Sequence, residues 1–202
     1  MRSRDPFLKA RTLFQQRGGL LRTADVLAMG IHPRTLYAMR DAGVIEPVER
    51  GFYRLADMPP LGNPDLVTVA LRAPKAVVCL ISALAFHGIT TQVPHEVYLA
   101  VEQKAKKPRL KYPPIRVFWF SGASFQEGVE THVIDGVPVR IFCPEKTVAD
   151  CFKHRSKIGI DVAVEALRFC LRRKRSTVQT FLQFGRVCRV EKIMRPYLEA
   201  ML

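Results

Sequence analysis

Seven side chains between residues 32 and 54 have the chemistry to bind the phosphates and base edges of nucleic acid. Imidazole, hydroxyl, phenol and guanidinium groups donate hydrogen bonds to phosphate oxygens, and an arginine can also pair with both acceptors of a guanine edge. We expect these side chains to form a DNA-contact surface if one local structure presents them together. The candidates are His32, Arg34, Thr35, Tyr37, Arg40, Arg50 and Arg54.

The sequence around these residues predicts two short helices joined at a glycine and followed by a hairpin. Thr23 is expected to cap the first helix, residues 24–29, with its hydroxyl. Gly30 permits the reversal, and Pro33 is tolerated in the first turn of the second helix. Apolar residues on both sides of Arg50-Gly51 then predict a two-stranded ribbon with a glycine turn. This order is that of a winged helix-turn-helix.

The second helix is predicted to bury Leu36 and Met39, which share one face, against the first helices. Its opposite face carries Arg34 and Tyr37. Arg34 lies in the first turn, where a recognition helix enters the major groove, so we expect it to pair with guanine or to grip a phosphate beside exposed helix amides. His32, at the start of this helix, is a further candidate contact, and Thr35 and Arg40 flank the face and suit backbone contacts.

Two arginines of the predicted hairpin, Arg50 and Arg54, are expected to project toward the phosphates or into the minor groove. An alternative remains open for the whole segment. A winged helix whose second helix is merely solvated could instead dock another protein, because helix-turn-helix spacing alone is only moderately specific.

The charge of the chain favours a polyanionic partner. The sequence has 32 Lys+Arg against 18 Asp+Glu, a net charge of +14 at pH 7, and such an excess attracts nucleic acid in a salt-dependent way. Residues 1–60 account for only +4 of this charge, so the rest of the chain is also expected to contact DNA, RNA or an acidic partner. One basic loop, residues 104–111, is a candidate for nonspecific phosphate contact or for a solubilising surface; its cations are Lys104, Lys106, Lys107, Arg109 and Lys111.

The fold class predicted for the whole chain is α+β. A proline-rich linker at residues 57–64 separates a winged helix-turn-helix domain, residues 1–58, from a second domain, residues 64–202, with a small antiparallel-rich sheet and C-terminal helices. In the second domain Ser82 is expected to cap a helix that ends at Gly88, and Asp135-Gly136 is the strongest hairpin signal. The strands are predicted at 77–80, 97–101, 115–120, 129–134 and 137–142, and the helices at 64–72, 82–88, 145–154, 160–173, 177–184 and 190–201.

The cysteines and the apolar runs indicate the compartment. Five cysteines, an odd number, lie mostly in apolar segments, which favours reduced core thiols over a disulfide scaffold. No apolar run approaches the roughly 18 residues of a membrane span, and the N-terminus lacks the apolar centre of a secretion signal. We therefore expect a soluble, cytoplasmic protein.

The basic run 172–175 lies at the end of a predicted helix. It is best explained by the helix dipole, which favours cations at that end.

Signatures of catalysis are mostly missing from the sequence. It contains no phosphate loop, nucleophile elbow, H-E-x-x-H or zinc-deaminase pattern, and we expect neither a cofactor nor a metal. The alternative is a metal-dependent nuclease, or another nucleic-acid enzyme delivered by a winged helix, in which Glu96, Glu102 and Lys104 would share one face of a strand. His87 and His95 flank a turn, but a histidine at a helix end more often bonds a neighbouring carbonyl.

Several stretches of the chain resemble the AbiEi-type antitoxins of type IV toxin-antitoxin systems. These are GGLLRTADVLAMGIHPRTLYAMRDAGVIEPVERGFYRL, LRAPKAVVCLISALAFHGITTQVPHEVYLAV and GVPVRIFCPEKTVADCF. The resemblance implies a winged-helix domain that binds inverted repeats in its own promoter as an autorepressor. It also implies a C-terminal domain that opposes a cognate nucleotidyltransferase toxin, with no stable complex required.

Overall fold

The protein, described here from a computed structural model, forms two compact units. The structure describes residues 5–173 and 176–201, so Lys174 and Arg175 of the basic run noted above lie outside the described residues. The first unit contains the chain up to Thr68 together with Val133–Pro138, and the second contains Val69–His132 together with the chain from Val139 onward.

The first unit begins with a helix that the sequence analysis did not predict. The Asp5 carboxylate accepts a hydrogen bond from the Phe7 N–H at 2.9 Å, and Pro6 occupies the first helical position, an arrangement that satisfies the start of a helix. A strand of three residues, Leu20–Arg22, was also missed. The elements of the first unit are α1 (Pro6–Gln16), β1 (Leu20–Arg22), α2 (Thr23–Ala28), α3 (Pro33–Asp41), β2 (Ile45–Glu49) and β3 (Phe52–Leu55).

The three strands form an antiparallel sheet in the order β1-β3-β2. The predicted ribbon is therefore confirmed, with β1 added to it. Gly51, in the turn between β2 and β3, has a φ of +81°, and Gly30, between α2 and α3, also has a φ of +81°. Both are left-handed conformations that favour glycine.

The helices of this unit pack into one apolar core. Leu36 and Met39 of α3 are fully buried, as predicted, and they belong to the same cluster as Phe14 of α1 and Val26 of α2. Burying side chains of this size stabilises a fold by roughly 1.5 to 3 kcal/mol each. The buried side of α3 is therefore fixed, and this determines which of its residues face solvent.

The predicted cap of α2 is wrong. Thr23 is the first residue of the helix, the cap residue is Arg22, and no side chain caps the helix. The reason is that β1 runs directly into α2: the Thr23 N–H donates to the Gly51 carbonyl at 2.8 Å, so its backbone continues the strand pairing.

The second unit is built on a five-stranded sheet in the order β6-β5-β4-β8-β7. The β4–β5 pair is antiparallel, whereas β5–β6 and β4–β8 are parallel. The prediction of an antiparallel-rich sheet is thus only partly correct. The elements from Pro64 onward are α4 (Pro64–Arg72), β4 (Val77–Val78), α5 (Leu80–His87), β5 (Val97–Glu102), β6 (Ile115–Phe120), α6 (Ala123–Gln126), β7 (Val129–Ile134), β8 (Val137–Phe142), α7 (Pro144–Lys153), α8 (Arg155–Ile158), α9 (Ile160–Arg172), α10 (Val178–Val187) and α11 (Glu191–Glu199).

The predicted role of Ser82 is also wrong. Ser82 lies inside α5, which begins at Leu80 with Cys79 as its cap residue. The Ser82 hydroxyl instead accepts the Tyr98 N–H at 2.9 Å and donates to the Glu96 carbonyl at 3.3 Å. It therefore bonds the helix to the start of β5 and satisfies backbone groups that would otherwise be buried without partners.

The C-terminal helices enclose a large core that contains an ion pair. Lys146 and Asp150 of α7 are both fully buried, with 2.5 Å between Nζ and Oδ2. The Cys188 thiol donates to the other Asp150 oxygen at 3.2 Å. All five cysteines are free and buried, as predicted, and burial raises the pKa of every one of these thiols. Among the described residues, no helix is long and apolar enough to cross a membrane.

Candidate nucleic-acid interface

One side of α3 is exposed to solvent and carries the predicted contact residues. Arg34 and Tyr37 are exposed, Tyr37 by 45%, while Leu36 and Met39 anchor the opposite side in the core. Thr35 is half-buried at the edge of this face. The helix thus presents a guanidinium in its first turn and a phenol one turn later, groups able to donate to base edges and phosphates.

The N-terminus of α3 is closed by His32. Its ring Nδ1 accepts the Arg34 N–H at 3.2 Å, so in the neutral ring the proton resides on Nε2, which is left as a donor. The Thr35 and Leu36 amides bond to the His32 carbonyl. The expected free helix amides are therefore not found beside Arg34, because the first-turn amides already have partners and proline has no N–H to donate. Whether the Arg34 side chain contacts base or phosphate stays a prediction.

Arg40 lies at the C-terminal end of α3 and is held by its neighbours. Its Nε donates to the Asp41 carboxylate at 2.9 Å, and its Cζ lies 5.1 Å from the centroid of the Tyr37 ring. The Asp41 hydrogen bond and charge raise the pKa of Arg40 above its ordinary value. Arg40 is exposed, so the side chain is accessible but partly neutralised.

The two arginines of the β2–β3 hairpin have different environments. Arg50 is exposed at the turn, where its backbone N–H donates to the Glu49 carboxylate at 2.7 Å. Arg54 does not project as predicted. Its side chain is only 13% exposed, it forms an ion pair with Glu46, and it donates to the Pro59 carbonyl at 2.8 Å. Glu46 lies directly opposite Arg54 in the strand register, so the guanidinium binds groups of the first unit and is not directed toward solvent.

Sequence reasoning missed one exposed arginine beside the hairpin. Arg22 ends β1 and lies opposite Phe52, next to the Arg50-Gly51 turn. No pattern in the sequence indicates it, because Leu20, Leu21 and Arg22 do not alternate between apolar and polar and a strand of three residues is too short to show a period.

The basic loop between β5 and β6 is exposed at every predicted cation. Lys104, Lys106, Lys107, Arg109 and Lys111 all face solvent. The loop begins with a turn in which the Ala105 N–H donates to the Glu102 carbonyl at 2.8 Å. The Trp119 indole N–H of β6 donates to the Ala105 carbonyl at 3.1 Å and fixes this end of the loop to the sheet.

The residues proposed for a nuclease do not form the predicted arrangement. Strand β5 ends at Glu102, and Lys104 lies in the following turn, so strand alternation does not place Lys104 on the face of Glu102. The Glu96 carboxylate lies 3.7 Å from the Arg116 guanidinium. His87 bonds the Phe142 carbonyl at 2.8 Å, as expected for a histidine at a helix end, and His95 is exposed. Within the described residues no group of three or more histidine, cysteine or acidic side chains is arranged to hold a metal.

The N-terminal segment is similar to a known family of transcriptional regulators. Residues 9–56 match the model of a family described as "Transcriptional regulator, AbiEi antitoxin". The resemblance predicted from sequence is thus confirmed for this segment, and it supports a DNA-binding antitoxin. No curated protein matches the chain.

The fold of most of the chain is also found in a solved structure. The crystal structure of the RV2827C protein from Mycobacterium tuberculosis superposes with a TM-score of 0.57 at 12% sequence identity, and the match covers 87% of this chain and 69% of that one. At this identity the similarity concerns the fold alone.

Proposed function

We propose that this protein is a DNA-binding transcriptional regulator whose first unit acts as a winged helix-turn-helix. In this arrangement α3 enters the major groove and the β2–β3 hairpin, the wing, lies on the sugar-phosphate backbone. The observation that carries the proposal is the division of α3 into two sides. Leu36 and Met39 are fully buried, and Arg34 and Tyr37 are exposed in the first turns.

Each predicted contact residue receives a role consistent with its surroundings. Arg34, exposed in the first turn, reads a base edge, because its guanidinium can pair with two acceptors of guanine. The His32 imidazole and the Thr35 hydroxyl donate to phosphates at the entry of the helix. Tyr37 and Arg40, stacked on each other, contact the backbone farther along.

Beside the turn of the wing, Arg50 and Arg22 contact the DNA backbone, whereas Arg54 does not. Arg50 and Arg22 are exposed beside the turn, where they can donate to phosphates. Arg54 acts as a positioning residue, because its bonds to Glu46 and to the Pro59 carbonyl join the wing to the chain that leaves it.

We further propose that the regulator represses its own operon and serves as an antitoxin. The support is the resemblance to AbiEi-type proteins, together with the family match, which covers residues 9–56. Its target would be inverted repeats in its own promoter, in the cytoplasm. Its functional partner would be a cognate nucleotidyltransferase toxin, opposed without a stable complex. Residues 1–58 would be the DNA-binding domain and residues 64–202 the antitoxin domain, to which we assign no catalytic step.

The DNA-binding proposal is tested by fluorescence anisotropy with the full chain and a duplex from the region upstream of its gene. Arg34→Ala should weaken binding by about 1 to 3 kcal/mol and relax the preference at one base pair. Arg168→Ala, which removes the same charge from an exposed position of α9, is the matched control and should retain nearly the wild-type affinity. Equal losses in the two variants would contradict base reading by Arg34.

The two roles are tested together by expressing the full chain with the adjacent toxin gene and a promoter reporter. Arg34→Ala should release repression of the reporter but retain protection against the toxin, because Arg34 lies on the exposed side of α3. Loss of both activities in a folded Arg34→Ala protein would contradict the assignment of the antitoxin role to residues 64–202.

A further inference from the structure

The second unit contains a cavity whose walls carry four cations. It has a volume of about 550 Å³, within the range of roughly 300 to 1,000 Å³ that is typical of small-molecule sites. The cations come from the end of α4 and the residues after it, from the basic loop and from β8. They are Arg72, Lys75, Lys106 and Arg140.

These cations have no acidic partners in the part of the chain that the structure describes. Each of the nine ion pairs found within 4.0 Å there joins other residues. Like charges that surround one concavity repel each other and concentrate a positive potential inside it. An anion with more than one charge would relieve that repulsion.

Hydrogen bonds fix the segments that contribute the cations before any ligand binds. The Arg140 guanidinium donates to the Lys75 carbonyl at 2.8 Å, which ties β8 to the segment after α4. The Trp119 indole holds the Ala105 carbonyl, and Ala105 lines the cavity beside Lys106. Such preorganisation lowers the entropic cost of binding.

The rest of the cavity lining is mostly apolar. It also includes one aromatic ring and one carboxylate. Phe125 of α6 lines the cavity, and the Arg140 Cζ lies 5.9 Å from the centroid of its ring. A flat aromatic ring can stack on this surface, as bases stack on aromatic side chains. Glu102 also lines the cavity. Its carboxylate accepts hydrogen bonds from amine or hydroxyl groups and repels bare phosphate.

We propose that this cavity binds a nucleotide, with the phosphates on the four cations and the base against Phe125. The arrangement combines what a nucleotide requires: several phosphate donors, an apolar surface for a planar ring, and an acceptor for base or ribose donors. The same chemistry is offered by a free nucleoside triphosphate and by the phosphorylated end of a single strand.

The test is calorimetry of the full chain with ATP, adenosine, inorganic triphosphate, and one short single strand with either a 5′ phosphate or a 5′ hydroxyl. We expect saturable one-to-one binding of ATP or of the 5′-phosphorylated strand, and the stronger of the two identifies the source. Adenosine should bind at least about tenfold more weakly than ATP, because it lacks the phosphates. Inorganic triphosphate should also bind more weakly, because it lacks the base.

Two charge-reversal variants provide the decisive comparison. Lys106→Glu should weaken ATP binding by about tenfold or more, whereas Lys104→Glu, the same change in the same loop but outside the cavity lining, should change it by less than about twofold. Phe125→Leu should weaken binding of ATP but not of inorganic triphosphate. Equal effects of the two lysine variants, equal binding of ATP and inorganic triphosphate, or no saturable binding by any phosphorylated probe would overturn the proposal.

Discussion

The buried ion pair of α7 should have a large effect on stability that depends on keeping both partners. Lys146 and Asp150 have no exposed surface. Within the part of the chain that the structure describes, the ammonium has one carboxylate partner. It also lies 4.1 Å from the centroid of the Phe142 ring and 5.1 Å from that of the Phe120 ring. Removing one partner of such a pair leaves an uncompensated charge in the core.

Lys146→Met keeps most of the side-chain volume and removes the charge, so it isolates the electrostatic effect. Among the described residues, Asp150 would then keep the weak Cys188 thiol as its one hydrogen-bond donor. We expect the free energy of unfolding to fall by about 3 to 5 kcal/mol, as for other broken buried pairs. For a chain of this size the melting temperature should fall by roughly 10 °C.

The loss in Lys146→Met should also depend on pH. Burial already raises the pKa of Asp150, and Lys146 is the main influence that lowers it. Without Lys146 the native state holds a proton on Asp150 at pH values where the unfolded state has lost it. Stability of the variant should therefore fall as pH rises from the ordinary aspartate pKa of about 4 toward the raised one.

Urea unfolding followed by tryptophan fluorescence measures this effect, because the only tryptophan, Trp119, lies in the second unit. Lys192→Met, at an exposed position of α11, is the matched control and should change stability by less than about 0.5 kcal/mol. The double variant Lys146→Met/Asp150→Leu should recover most of the loss, since apolar replacements of buried pairs are often neutral. A loss below about 1 kcal/mol for Lys146→Met, or no recovery in the double variant, would refute the reasoning.

Three further predictions concern other parts of the chain. Arg54→Ala should lower the stability of the first unit by roughly 1 to 2 kcal/mol, because it leaves Glu46 and the Pro59 carbonyl without their donor. Thermal unfolding followed by circular dichroism measures this loss. Unchanged stability together with lost DNA affinity would show that Arg54 contacts DNA. Burial lowers the pKa of His154 from 6.5 to about 4, so between these pH values the unfolded state binds a proton that the native state does not. Because solvent screens this half-buried ring, the free energy of unfolding should fall by about 1 to 2 kcal/mol as pH drops from 6.5 to 4. His154→Phe should remove this part of the pH dependence, and an unchanged pH profile in the variant would contradict the assignment. Lys106→Gln/Lys107→Gln should reduce the salt slope of log DNA affinity by roughly two units, whereas an unchanged slope would mean that the loop meets no phosphate.

Local signals in the sequence predicted most elements of the fold. Asp135-Gly136, with φ values of +50° and +79°, identified the β7–β8 hairpin, because few residue pairs tolerate both conformations. The start of α3 was predicted from His32-Pro33, because proline is favoured in the first turn of a helix. The four-residue helices α6 and α8 were missed, since one helical turn carries too few residues to show a period.

The errors arose where a tertiary partner decides what a side chain does. The Ser82 hydroxyl and the Thr23 amide are occupied by groups distant in sequence, so capping preferences did not apply. Parallel pairing of β5 with β6 cannot be read from alternation, which identifies a strand but not its neighbour.

The candidate contact surface was predictable only in part. Helical spacing identified which side of α3 is exposed, because its two buried residues lie three positions apart. The ion pair of Arg54 with Glu46 follows from the register of the hairpin, because oppositely charged residues directly opposite each other on paired strands attract. The four cations of the cavity are spread from Arg72 to Arg140, and no local pattern brings them together.

The measurement that tests the central claim most directly is site-specific photo-crosslinking of the full chain to the duplex from upstream of its gene. The photoreactive residue p-benzoylphenylalanine would replace Tyr37, on the exposed side of α3, or Val93, a control in the second unit that is 77% exposed. DNA binding through α3 predicts a cross-link from position 37 that excess unlabelled promoter duplex abolishes, and little or none from position 93. A cross-link from position 93 with none from position 37, in proteins that bind the duplex normally, would contradict it.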